Sequence, residues 1–104
     1  MANWVRVANA GDVSGGEVNS YSVNNRQVAV ANVEGSLHAF DDTCTHQACS
    51  LAEGDLEETT IECACHGSRF DVTTGEVLEG PATEPVDVFD VREEAGALEV
   101  SLER

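Results

Sequence analysis

Residues 44–49 read Cys-Thr-His-Gln-Ala-Cys, and residues 63–70 read Cys-Ala-Cys-His-Gly-Ser-Arg-Phe. These two boxes contain all four cysteines of the chain and two of its three histidines. Thiolate and imidazole are the side chains that bind iron–sulfur clusters, zinc and copper. The two boxes therefore predict two loops that meet at one shared metal centre. The third histidine, His38, lies in a predicted strand, where a histidine usually packs or faces solvent.

The ligand spacing in the boxes is Cys44-x-His46, then sixteen residues, then Cys63-x-x-His66. This spacing alone leaves two kinds of centre open, because a closed tetrahedral zinc site accepts the same two thiolates and two imidazoles. An iron–sulfur cluster would absorb visible light and give an EPR signal once reduced, whereas zinc is colourless and has no redox chemistry. The four ligands by themselves do not decide the metal.

Two further motifs narrow the choice of metal. The second box continues as Cys-x-Cys-His-Gly-Ser-x-Phe-Asp, and a Gly80-Pro81-Ala82 segment follows it. With these motifs the chain resembles the Rieske family, whose [2Fe-2S] cluster has one iron held by two thiolates and the other by two imidazoles. The resemblance implies one [2Fe-2S] cluster per chain, with Cys44 and Cys63 on one iron and His46 and His66 on the other.

The remaining two cysteines, Cys49 and Cys65, lie outside this ligand set. In the high-potential branch of the Rieske family, cysteines at these positions form a disulfide between the two cluster loops, so the resemblance implies a Cys49–Cys65 bridge. Such a bridge is unusual in a cytoplasmic protein, because the glutathione pool keeps most thiols reduced. The alternative is a pair of free buried thiols that behave as small hydrophobic side chains.

The resemblance also implies roles for residues around the cluster. Gly67 and the Gly80-Pro81 loop would permit close backbone approach and form a stiff lid. Ser68 matches a family serine whose hydroxyl points at a bridging sulfide, and such hydrogen bonds raise the reduction potential. Phe70 stands where high-potential members have a tyrosine that donates to a ligand sulfur. Since that donor is missing and the chain is acidic, we expect a potential between the two family branches, closer to the lower one.

The composition is strongly acidic: twenty acidic residues against five arginines, with no lysine, give a formal net charge of -15. Nucleic acid and anionic membranes are therefore poor partners. An acidic surface can steer encounters with basic faces of redox partners, but adaptation to a saline cytoplasm would produce the same composition. The first residues include no apolar run suited to a signal peptide or membrane span, so we expect a soluble, cytoplasmic protein. We also expect it to be a monomer.

Outside the boxes, the hydrophobic pattern favours short strands. Val18, Tyr21 and Val23 come before Asn24-Asn25, and a largely apolar run from Val28 to Val33 follows, so a hairpin is predicted there. Apolar and polar residues alternate in residues 98–103, and further turns are predicted at Glu34-Gly35 and Ala95-Gly96. In residues 98–103 the alternation predicts one buried and one wet face. No window of eleven or more residues keeps a helical period, so we expect an all-β sandwich or barrel.

The length predicts a single domain over residues 1–104. The Rieske resemblance implies an antiparallel β base formed by residues 1–42 and 83–104, with a cluster-binding subdomain inserted at about residues 43–82. Within that insertion, the acidic connector at residues 50–60 is predicted to be an exposed excursion with a brief strand at its end.

The function that the resemblance implies is that of a soluble ferredoxin. Such a ferredoxin takes one electron from a flavin-dependent reductase and passes it to a terminal oxygenase, such as a ring-hydroxylating dioxygenase. The sequence has no nucleophile with an adjacent base and no phosphate loop, so we expect an electron-transfer component that is not catalytic alone. One alternative is a small Rieske subunit bound permanently to a larger oxidoreductase such as nitrite reductase. Another is a redox sensor based on the cluster or the Cys49/Cys65 pair.

Overall fold

The computed structural model describes residues 4–9, 11–43, 49–65, 67–80 and 82–102. In these ranges the chain forms ten strands and one 3-10 helix, and no α-helix is present. The strands are β1 (Trp4–Asn9), β2 (Val18–Val23), β3 (Arg26–Val33), β4 (Ser36–Asp41), β5 (Asp55–Glu57), β6 (Thr60–Glu62), β7 (Arg69–Asp71), β8 (Val77–Glu79), β9 (Val88–Glu94) and β10 (Ala97–Ser101). The 3-10 helix, Leu51–Glu53, lies between β4 and β5. The predicted all-β class is confirmed.

Six strands form the larger sheet, in the order β1-β10-β9-β4-β3-β2, with every neighbouring pair antiparallel. Its two edge strands, β1 and β2, come into contact, so the sheet curls toward a closed barrel. The predicted turn at Asn24 and Asn25 joins β2 to β3, and both residues have positive φ, 50° and 67°. Two successive positive φ values match the right-handed twist of the flanking strands. We call this sheet the β base.

The other four strands form a smaller antiparallel sheet in the order β5-β6-β7-β8. It arises from the chain between β4 and β9, and its strands include residues 55–57 and Thr60 of the acidic connector. The expectation of an exposed excursion was wrong for part of this connector, since Leu51 is fully buried and Leu56 packs against the core. These two apolar side chains hold the connector against the rest of the molecule, while Asp55 and Glu57 of β5 stay exposed.

Two cores lie on opposite sides of β3. Val28 and Val30 point into the interior of the β base, whereas Ala29 and Ala31 belong to the core between the β base and the smaller sheet. All four side chains are fully buried, because a strand with a sheet on either side has no wet face. The second core also contains Cys63, so the hydrophobic contact between the two sheets reaches the second cysteine box.

Strand β10 departs from the predicted alternation at Ser101. We expected this residue on a wet face, but it is fully buried. Ser101 pairs with Trp4 of β1 and Asp90 of β9, whereas Glu99, which is also paired on both sides, is only partly buried. Leu98 and Val100 are buried as predicted. The alternation of a strand therefore predicts correctly which side faces the core. It does not predict how far the side chains on the other face are buried.

The boundaries proposed for the inserted subdomain, about residues 43 and 82, remain a prediction. Among the described residues, we find no helix with the length and hydrophobicity needed to cross a membrane.

Gly75, in the turn between β7 and β8, is a glycine whose replacement should cost stability for two reasons. Its φ is +82°, and a Cβ there would overlap the carbonyl oxygen of Val86. Gly35 provides a matched control, because its φ is +92° but nothing lies within 4 Å of the point that a Cβ would occupy. We expect Gly35→Ala to cost about 1 kcal/mol of unfolding free energy and Gly75→Ala roughly 2 kcal/mol more. Urea unfolding measures both, and equal costs would contradict the close approach.

Candidate metal centre

The second cysteine box forms a tight loop between β6 and β7. The Cys63 N–H donates to the carbonyl of Ser68 (2.8 Å), and the Gly67 N–H donates to the carbonyl of Cys63 (3.0 Å). Gly67 has a φ of +78°, a conformation that glycine adopts without a Cβ penalty. These bonds fix Cys63 at the start of the loop, where its side chain is only 2% exposed.

The first box begins and ends at neighbouring points in space. Thr43 and Ser50 form an isolated antiparallel bridge, so the chain enters and leaves the loop side by side. The Leu51 N–H donates to the carbonyl of Asp42 (2.6 Å), which closes the base of the loop further. Residues 44–48, with the predicted ligands Cys44 and His46, lie outside the described residues.

A disulfide between Cys49 and Cys65 ties the two boxes together. This is the pair that the family resemblance implied, and its Cα atoms lie 6.6 Å apart. The sulfurs of Cys49, Cys63 and Cys65 all lie within 4.8 Å of one another. Because the disulfide consumes two of these thiols, Cys63 is the free cysteine among the described residues and the one able to offer a thiolate to a metal.

The third predicted loop is tied to the second box by Ser68. The Ala82 N–H donates to the hydroxyl oxygen of Ser68 (3.0 Å), and Ser68 is fully buried. A hydroxyl that accepts this bond still has its own proton to donate. The predicted role of Ser68 as a donor to the cluster stays a prediction. Gly80 is exposed at the end of β8, and the predicted lid residue Pro81 lies outside the described residues.

Phe70 is fully buried in the core that also contains Cys63. Its partner across the sheet is Ile61 of β6. A tyrosine at this position would therefore carry its hydroxyl into an apolar region beside the second box. The geometry is compatible with the predicted link between this position and the reduction potential.

Replacing Phe70 by Tyr is expected to raise the midpoint potential, because a hydroxyl that donates to a ligand sulfur stabilises the reduced, more negative centre. If the hydroxyl found no partner, the variant would instead lose about 1–3 kcal/mol of stability with no change in potential. Phe89→Tyr, in the interior of the β base, is the control and should leave the potential unchanged. A potentiometric titration monitored by EPR measures the midpoint potential of each variant. An unchanged midpoint potential in Phe70→Tyr would contradict the prediction.

Arg69, beside Phe70, organises the outer face of the smaller sheet. It lies opposite Glu62 of β6 and Glu79 of β8, with nitrogen–oxygen distances of 2.8 Å and 3.3 Å. The hydrogen bond to Glu62 raises the pKa of the guanidinium above its usual value. Because all these side chains are largely exposed, the pairs contribute little stability, but they lower the repulsion among carboxylates on this face.

Sequence reasoning missed one residue at this site, Asp42. From the sequence, Asp42 is interpreted only as part of the segment that precedes the first box. In the structure its side chain is buried under the base of the loop. The available signal was an acidic residue two positions before a Cys-x-His motif, at the end of an apolar strand. Of the predicted ligands, the structure describes Cys63 alone, and His66 joins Cys44 and His46 outside the described residues.

Comparison with known proteins adds a family model that describes the Rieske [2Fe-2S] domain and matches residues 3–90. The chain belongs to the Rieske [2Fe-2S] family. The cofactor is accordingly a [2Fe-2S] cluster, and the zinc alternative fails. What the structure describes fits that group, since a buried free thiol lies beside a disulfide that joins the two cluster loops.

Relatives of this Rieske protein are ferredoxins. It is 39% identical over 90 residues to the ferredoxin component of naphthalene 1,2-dioxygenase/salicylate 5-hydroxylase systems from a Ralstonia species, covering 86% of each chain. The ferredoxin of carbazole 1,9a-dioxygenase from Nocardioides aromaticivorans IC177 matches with a TM-score of 0.90 and 30% identity, over 95% of this chain and 97% of that one. A chain in a complex of reduced oxygenase and oxidized ferredoxin in carbazole 1,9a-dioxygenase matches with a TM-score of 0.86 and 37% identity, covering 92% and 99%.

Proposed function

We propose that this Rieske protein is a one-electron carrier that takes an electron from a flavin-dependent reductase and delivers it to a terminal oxygenase. The observation that carries the proposal is the match, over nearly the full length of both chains, to ferredoxin components of dioxygenase systems. A ferredoxin captured with its oxygenase among the structural relatives supports the acceptor class. The oxygenase is a ring-hydroxylating dioxygenase or a close relative of one.

The proposed ligands are Cys44 and Cys63 for one iron and His46 and His66 for the other. The [2Fe-2S] cluster, when bound, supplies one-electron redox chemistry at a potential raised by its two imidazole ligands. Cys63 is held for this role by its backbone bonds to residues 67 and 68 and is shielded from water by the core. Imidazole edges at the surface would give the electron its route to a partner.

The protein works as a single domain without catalysis of its own, as a monomer in the cytoplasm. The domain spans residues 1–104, with the cluster-binding part at about residues 43–82. The disulfide between Cys49 and Cys65 supports this division, because it joins the two boxes and makes no covalent link to the β base. A protein that binds two partners in turn benefits if the part that carries the cluster is rigid, because the geometry of that part need not change between the two encounters.

Reconstitution with the reductase and oxygenase encoded beside it tests the proposed function. We expect NADH-dependent product formation that requires all three components and saturates with the ferredoxin. Gel filtration of the isolated chain should give a monomer, while a stable complex with a larger enzyme would favour the permanent-subunit alternative. An oxygenase that turns over equally fast without this chain would overturn the proposal.

Salt separates the two explanations of the acidic surface. Electrostatic steering weakens as the Debye length shrinks, so the reduction rate by the reductase should fall several-fold between about 0.01 M and 1 M salt. A rate that is flat or rises with salt would instead attribute the net charge of -15 to a saline cytoplasm.

A further inference from the structure

Asp42, directly after β4, is a buried carboxylate at the foot of the first cluster loop. It is only 4% exposed. Its Oδ2 accepts hydrogen bonds from the hydroxyls of Ser50 (2.6 Å) and Ser20 (3.0 Å), and its Oδ1 accepts one from the Ala52 N–H (2.8 Å). The Ser50 hydroxyl and the Ala52 N–H donate to Asp42, while the single hydroxyl proton of Ser20 is shared with Gln27 Oε1 at 3.2 Å. This donor set suits an ionised carboxylate, a group that accepts only.

The backbone of Asp42 forms two further hydrogen bonds. Its N–H donates to the carbonyl of Gln27 on β3 (3.1 Å), and its carbonyl accepts from the Leu51 N–H (2.6 Å). Asp42 thus joins four parts of the chain: β2 through Ser20, β3 through Gln27, and the incoming and outgoing ends of the first loop. These bonds, the Thr43–Ser50 bridge and the disulfide at Cys49 attach the described ends of the first loop to the rest of the molecule.

In the part of the chain that the structure describes, these hydrogen-bond dipoles balance the charge of Asp42, and no cation forms an ion pair with it. Among the described residues the ion pairs of the arginines go to other carboxylates, and Arg26 of β3 binds Asp41 and Asp87. A negative charge without a cation partner acts strongly on its surroundings when it is buried. Asp42 is two residues before Cys44, and two peptide units span at most about 7 Å. This connection keeps the backbone of Asp42 within that distance of the backbone of the first proposed ligand.

From these contacts we infer that Asp42 is a positioning residue for the cluster: its carboxylate anchors the first cluster loop to the β base, and its charge lowers the reduction potential. The inference rests on the ligand set of the proposed function. Asp42 does not touch the irons in this scheme. It acts through the loop that presents Cys44 and His46, and through the electric field at the cluster.

Two substitutions separate the anchor from the charge. Asp42→Asn keeps the shape of the side chain and lets the two serine hydroxyls reverse and accept, so the cluster should stay bound. The reduction equilibrium should shift toward the reduced cluster by up to about tenfold, which is a rise of 59 mV in the midpoint potential for one electron. Glu94→Gln removes an exposed charge at the opposite end of β9, next to the turn into β10, and should shift the equilibrium less than about twofold. Equal shifts in the two variants would overturn the role of the charge.

Ser50→Ala tests the anchor, because it deletes one donor and leaves the carboxylate in place. We expect several-fold faster cluster release into a chelator and altered EPR g-values, while Ser22→Ala, an exposed serine of β2, should behave as the wild type. Should Asp42→Asn fail to fold, Ser50→Ala and Ser20→Ala decide the question. Wild-type release rates and g-values in both serine variants would overturn the inference.

The same protein preparations separate this inference from the proposed function. Potential, g-values and cluster release need no partner protein. A wild type that holds a cluster but delivers no electrons would overturn the proposed function alone. A wild type that binds no cluster would overturn the ligand set and, with it, the role of Asp42.

Discussion

Replacing Cys63 by Ser is expected to leave purified protein with about a tenth or less of the wild-type iron and sulfide. Cys63 is buried where the core between the two sheets meets the second box, and its thiol is free. A serine hydroxyl has nearly the same size but is a far poorer ligand for iron, because it does not ionise near neutral pH. Loss of a directly bound ligand should exceed the 10- to 100-fold loss of affinity seen when a supporting hydrogen bond is removed.

This variant should also be much less stable than the wild type, since the free energy of metal binding contributes to folding when the unfolded chain has no site. Iron and sulfide analysis, visible absorption and EPR of the reduced sample measure the effect. His38→Ala is the matched control, because His38 lies in β4 opposite Ala31 and outside the proposed ligand set. A Cys63→Ser protein with full cluster content, or a His38→Ala protein without it, would refute the ligand assignment.

Removing the disulfide with Cys49→Ser and Cys65→Ser together is expected to lower the free energy of unfolding by about 3 kcal/mol. The bridge closes a loop of 16 residues in the unfolded chain, and restricting a loop of that length stabilises the folded state by roughly this amount. The cluster should also dissociate faster, because the two boxes lose the covalent link between them. Guanidinium unfolding of the cluster-loaded protein, followed by visible absorption, measures both effects.

The double variant is needed because a single one would leave a new thiol near Cys63. The three sulfurs lie within 4.8 Å of one another, so a lone Cys49 or Cys65 could pair with the proposed ligand. Mass measurement under alkylating, non-reducing conditions provides the control: the wild type should carry no label on Cys49 or Cys65. Labelling of both in the wild type, or an unchanged denaturation midpoint in the double variant, would contradict the stabilising role of the bridge.

Much of the fold was predictable because its signals are local. Positive φ at Asn24 and Asn25 follows from a residue type that tolerates the left-handed region, and Gly35 supplies the same conformation in the next turn, so the hairpins form where those residues stand. Within the site, the pairing of Cys49 with Cys65 followed from the family resemblance of the boxes. The burial of Asp42 could not be predicted, because its partners Ser20 and Gln27 are 22 and 15 residues away in sequence.

The sequence by itself determined the family, the kind of cofactor and the all-β class, because each depends on residue types and short spacings. The tertiary structure decided which side chains are buried by contacts with segments that are distant in sequence. Ala29 and Ala31 face a second sheet, Ser101 lies between two strands, and Asp42 is enclosed by β2, β3 and the loop it anchors. The physical reason is that burial and hydrogen-bond partners arise when distant segments meet, and no local pattern records where they meet.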